Sequence, residues 1–120
     1  MPTGSEHVEA ALAGIQVARD QINALEVVAD GWQEEATARL DAVADLLRAT
    51  MDRFYLKTRV STPFARRCEE AISALDGLLA ELSAEPDPGA QQRLSAALDA
   101  LEAAARTLDE RSQMRGMAIT

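Results

Sequence analysis

Apolar side chains recur every third or fourth residue from Val8 to Leu108, and nowhere do they alternate as they would along a strand. That spacing places one apolar stripe on each of a series of helices. Val8, Leu12, Ile15, Ile22 and Leu25 mark the first stripe; Leu40, Val43, Leu47, Met51 and Phe54 mark the second. Phe64, Cys68, Ile72, Leu75, Leu79 and Leu82 form the third, and Leu94, Leu98, Leu101, Ala105 and Leu108 the fourth. The pattern predicts helices over about 5–29, 31–59, 62–84 and 88–113, with 114–120 as a tail.

The punctuation agrees with these limits. Thr3 and Glu6 have capping-box spacing at the start of the first helix, with Ser5 as a second cap. In "STP", Thr62 can cap the third helix, and Pro63 suits a first turn. In "EPDPG", Pro86 stops the third helix, while Asp87 and Pro88 read as an N-cap followed by a first-turn proline. Between the first two helices, "DGW" offers Asp30 and Gln33 at cap-to-N3 spacing, although the stripe keeps its phase from Ala29 to Leu40. Gly116 can end the fourth helix, leaving Met117 and Ile119 beyond it.

At 120 residues the chain has room for one domain with a modest core. Short links make successive helices antiparallel, so the expected fold is all-α, an antiparallel up-down four-helix bundle. Abundant alanine allows close helix approach in a core with few rings. The alternative is a long bent first helix plus a helical hairpin, completed by dimerisation, because half of such a rod lacks a partner within the chain.

One stretch departs from the rest. The chain has a formal net charge of −8, yet "RFYLKTRVSTPFARR", residues 53–67, contains no acidic residue and holds three of the four aromatic residues, Phe54, Tyr55 and Phe64. Residues 48–67 carry Arg48, Arg53, Lys57, Arg59, Arg66 and Arg67 against Asp52 alone. The helix dipole accounts for Lys57 and Arg59 in a last turn, but not for Arg66 and Arg67 near a helix start. With the Leu47–Met51–Phe54 stripe at zero, Arg48, Tyr55 and Arg59 fall on one flank at about 80–120°, and Leu56 falls at about 180°. Arg48, Arg53, Tyr55, Leu56, Arg59, Arg66 and Arg67 therefore form the candidate partner-binding elbow, since tyrosine and arginine are enriched at interface hot spots. Phe54 and Phe64 lie on stripes and belong to the core.

Few catalytic groups are present. One histidine and one cysteine support neither a zinc site nor a bundle di-iron site, so no metal and no cofactor is expected. His7, between Glu6 and Glu9, reads as a surface residue at a frayed helix start, and Cys68 as a buried inert thiol. Arg19 reads as an edge pair with Glu26, and Trp32 as packing against a neighbouring helix. With no signal peptide and no membrane-length apolar run, a cytoplasmic protein is expected.

The functional expectation is a non-catalytic interaction module, of adaptor, chaperone-like or inhibitor type. It would bind an acidic protein surface, or itself as a homodimer, through the elbow. The alternatives are a small all-helical enzyme of the chorismate-mutase type, clamping an anionic substrate with inward cations, and weak nucleic-acid binding, which the acidic flanks oppose.

Overall fold

The computed structural model describes residues 3–25, 31–53, 60–84 and 89–118, the side chains of residues 53, 84 and 114–118 excepted. Four helices follow one another: α1 (Gly4–Ala24), α2 (Trp32–Arg53), α3 (Thr62–Ala84) and α4 (Ala90–Ala118). They pack as a compact helical bundle, as the four stripes predict.

Each boundary has a local cause. The Thr3 hydroxyl accepts the Glu6 amide at 3.2 Å and caps α1. Leu25 is extended (φ −72°, ψ 133°), so α1 stops there and is not continuous with α2. Gly31 turns the chain into α2 with φ +84°, a conformation that suits glycine alone. Gln33 does not act only in its own first turn: its amide donates to the carbonyls of Ile22, at 3.0 Å, and Leu25, satisfying the open end of α1.

Three sequence expectations shift. Ser61, not Thr62, precedes the first turn of α3, its carbonyl accepting the Ala65 amide at 2.9 Å, which places Pro63 within that turn. Gly89 accepts the first α4 bond from Arg93 and α4 opens at Ala90 rather than at 88; Pro86, Asp87, Pro88 and Asp30 fall outside the described residues. Gly116 does not end α4, which runs through it to Ala118 and absorbs most of the expected tail.

The stripes meet in one core. Val8, Ile15, Ile22, Leu40, Leu47, Ile72, Leu75, Leu79, Leu94, Leu98, Leu101 and Leu108 are all but inaccessible, and Trp32 is buried with them. Burial of each such side chain contributes about 1.5–3 kcal/mol, so these stripes dominate stability.

The chain runs up, down, up, down, but its neighbours are not simply successive. α1 packs most extensively on α3, α3 on α4, α4 on α2 and α2 on α1, so that α2 and α3 lie across one diagonal. Contacts fix the directions. His7 meets Glu69 and Gly14 faces Ile72, so α1 and α3 are parallel; Arg39 meets Glu102 and Thr50 meets Asp109, so α2 and α4 are also parallel. The molecule is thus two antiparallel hairpins, α1–α2 and α3–α4, laid side by side.

The two hairpins repeat one design. The buried positions Gly4, Val8, Ala11, Ile15, Ala18, Ile22 and Leu25 of the first match Ser61, Ala65, Cys68, Ile72, Leu75, Leu79 and Leu82 of the second, 57 residues on. From α2 to α4 the offset is 58, and eight of residues 31–53 recur unchanged, among them Leu40, Asp41 and Ala42 as Leu98, Asp99 and Ala100.

The α1–α3 seam is tight because its α1 side is small. A Cβ at Gly14 would stand 3.0 Å from both Cγ atoms of Ile72, whereas one at Gly77, on the outer face of α3, would meet nothing within 4 Å. Gly77→Ala should therefore raise the unfolding free energy by about 1 kcal/mol through helix propensity alone. Gly14→Leu should lower it by about 2 kcal/mol through overpacking. Urea denaturation reads both, as midpoints that move in opposite directions with unchanged slope.

Candidate interaction surface at the basic end of the bundle

The up-down course brings the starts of α1 and α3 and the ends of α2 and α4 to one end of a molecule 51 Å long. Every buried polar side chain among the described residues lies there: Ser5, His7, Thr50, Ser61 and Ser112. The Ser61 amide donates to Ser112 Oγ at 3.2 Å, tying the start of α3 to α4. The Thr50 hydroxyl proton is shared between the Leu46 carbonyl at 2.9 Å and Asp109 Oδ1 at 2.8 Å, tying α2 to α4. This end is a hydrogen-bonded platform on an apolar core.

His7 corrects the sequence reading. It is not a frayed surface residue: it is 9% exposed, and its Nδ1 bonds Glu69 Oε2 across the α1–α3 seam. One heptad on, Gly14 stands where His7 stood and Asp76 where Glu69 stood. Asp76 has no cation opposite, and its Oδ1 is buried without a hydrogen-bond partner among the described residues. Desolvation pushes its carboxyl up to about 6.

The expected elbow is only partly within view. Tyr55, Leu56 and Arg59, with Phe54 and Lys57, lie outside the described residues, and Arg53 is placed only as the last residue of α2. Arg48 is exposed and 3.5 Å from Asp45, one turn back on its own helix. Arg66 is exposed and 3.5 Å from Glu70. Such exposed pairs are worth about 0–1 kcal/mol. Arg67 lies over the ring of Phe64 at 4.7 Å, and Arg111 of α4 lies over the same ring at 5.4 Å. These contacts offset the unfavourable placement of Arg67 near the start of α3, at about 0.5–1 kcal/mol each. Phe64 is half-buried against the core, as its stripe position predicts, with its exposed part under guanidinium groups.

Arg111 is the residue that the sequence reading left out of the elbow. The repeat carries the signal: Arg48 and Arg53 of α2 recur as Arg106 and Arg111 of α4, and both helices finish at this end. Among the described residues neither Arg67 nor Arg111 has a carboxylate partner. Two flat guanidinium groups held on one ring present N–H donors outward, a geometry suited to carboxylates.

Arg39 and Arg19, away from this end, are engaged. Arg39 of α2 bridges Asp99 and Glu102 of α4, and hydrogen bonding to Glu102 foremost holds its guanidinium charged. Arg19 Nε is 3.1 Å from Asp41 of α2, while the expected edge pair with Glu26 falls on a residue outside the described set. A shallow groove of about 170 Å³ between α2 and α4 is lined by Ala42, Val43, Leu46, Glu102 and Arg106. Cys68 is fully buried, and desolvation pushes its thiol up to about 12, which leaves it unreactive at neutral pH. Among the described residues no group of three His, Cys, Asp or Glu side chains is placed to hold a metal ion. No helix among them is long and apolar enough to cross a membrane.

No protein-family model matches the chain, and no curated protein or solved structure matches it either.

Asp76 makes stability depend on pH. A carboxyl whose folded pKa is raised stabilises the fold fully below the ordinary carboxylate range, and that contribution is lost as pH rises through about 6. Asp76→Asn should therefore melt a few degrees above the parent at pH 7.5, about 1 kcal/mol after discounting for partial exposure, with the gap closing near pH 4. Thermal melts at the two pH values measure it.

Proposed function

We propose that this chain is a non-catalytic interaction module that contacts an acidic protein surface through its basic end. The observation that supports this most is the stack of Arg67 and Arg111 on Phe64, exposed and without carboxylate partners among the described residues. Arg48 and Arg66 flank it with weak pairs that a competing carboxylate can replace. Among the described large apolar side chains only Val17, 49% exposed on α1, stands out in solvent. Among the described residues, recognition through this surface therefore rests on charge and guanidinium geometry. For Arg53, whose side chain is not described, and for Tyr55, Leu56 and Arg59, outside the described residues, the assignment rests on the sequence pattern.

An enzymatic reading is less well supported. Electrostatic catalysis on an anionic substrate needs cations converging in a sheltered site. The described cations that lean toward seams, Arg19 and Arg39, are already engaged by carboxylates of neighbouring helices.

The test exploits the chain's own charge. At a formal net charge of −8, binding of a polyanion requires a locally positive surface. A labelled polyglutamate peptide should bind in low salt by fluorescence anisotropy, and weaken as salt rises. Arg67→Glu with Arg111→Glu should weaken it by about tenfold or more, roughly 1.4 kcal/mol, while leaving the melting temperature within a few degrees. Equal binding by parent and variant removes the support for this surface.

A further inference from the structure

The topology that gathers cations at one end gathers carboxylates at the other. The α1–α2 and α3–α4 connections both lie opposite the α2–α3 connection, because the chain runs up, down, up, down. Residues 26–35 hold Glu26, Asp30, Glu34 and Glu35 with no cation, and residues 81–88 hold three acids with no cation. Residues 53–67 hold five cations with no acid. Glu34 and Glu35 are exposed in the first turn of α2 and have no partner among the described residues. By sequence the end with those two connections is strongly acidic, with Arg93 paired to Glu81 there, while the other end carries most of the exposed arginines, set among carboxylates of their own helices.

We infer that the partner of the basic end is the acidic end of a second copy of this chain, giving head-to-tail association. This inference rests on the reading of the basic end as a contact surface and names what it contacts. Arg67 and Arg111 supply the outward donors, and Glu34 and Glu35 supply the carboxylates. The contact is heterologous: the two surfaces differ, so each copy added leaves one of each unfilled, and association does not close at a dimer.

Size sets the strength. An end of 27 × 19 Å offers about 500 Å², below the ~800 Å² per partner of a standard stable interface. Head-to-tail contact is accordingly weak and strongly salt-dependent. It also yields to a larger net repulsion, because each copy carries −8.

Sedimentation equilibrium of the full chain tests it, at about 20 mM and 150 mM salt, where the Debye length is roughly 20 Å and 8 Å. At about 1 mM protein and low salt, the weight-average mass should rise about twofold if each step has a Kd near 1 mM, and it should return toward the monomer at the higher salt. Arg67→Glu with Arg111→Glu should abolish the rise, and so should Glu34→Lys with Glu35→Lys. An equimolar mixture of the two double variants should restore it, because each then supplies the charge the other lacks. A parent chain that stays monomeric in low salt overturns the inference. So does a rise that survives the Glu34 and Glu35 changes, or a mixture that stays monomeric. In any of those cases polyglutamate binding that depends on Arg67 and Arg111 leaves the contact surface standing with another acidic partner. Loss of both signals removes the two readings together.

Discussion

The parallel contact of α1 with α3 is the constraint from which the remaining geometry follows. Small residues at Ala11, Gly14 and Ala18 let the two helices approach, and Ile72 fills the space beside Gly14. Once α1 and α3 lie side by side, α2 and α4 must occupy the remaining corners and also run parallel. The α2–α3 connection then spans the diagonal, and the starts of two helices meet the ends of the other two. A polar platform at one end and an apolar core above it are consequences of that arrangement.

Energetically the two regions do different things. The stripes bury a dozen large side chains almost completely, which is where the stability lies. The arginines at the basic end sit in exposed pairs or on a half-buried ring, where each contact is small. Removing them would change the fold little, which is what separates a surface available for contact from one committed to structure. Arg39 is the contrast: it joins α2 to α4 through two carboxylates, and its loss would leave both acids of α4 without a cation at the seam.

Much of the fold was legible because periodicity is a local property. The four stripes, the Thr3 cap, the break before Trp32 and the burial of Cys68 all follow from residues within a few turns of one another. Which helix neighbours which is not local. His7 is buried only because Glu69 lies 62 residues away, and no feature of "SEHVEA" announces that. Arg19 meets Asp41 of the neighbouring helix for the same reason. The recurrence of Leu40, Asp41, Ala42, Arg48 and Arg53 as Leu98, Asp99, Ala100, Arg106 and Arg111 was readable, and would have brought Arg111 into the elbow at once. Of that elbow, Arg66 and Arg67 are seen at the surface, with a ring rather than a carboxylate beneath Arg67, while its central residues fall outside the described set.

Laying two hairpins side by side also shapes how the chain reaches its native state. Each hairpin can zip from its own short turn, closing small loops at little entropic cost. Their docking is different, since Gly14 meets Ile72 and Thr50 meets Asp109 only after about half of the polypeptide has been looped back. The slow step then falls on the docking of two preformed halves, and the close-packed seam between α1 and α3 becomes the gate through which the chain commits to its final topology.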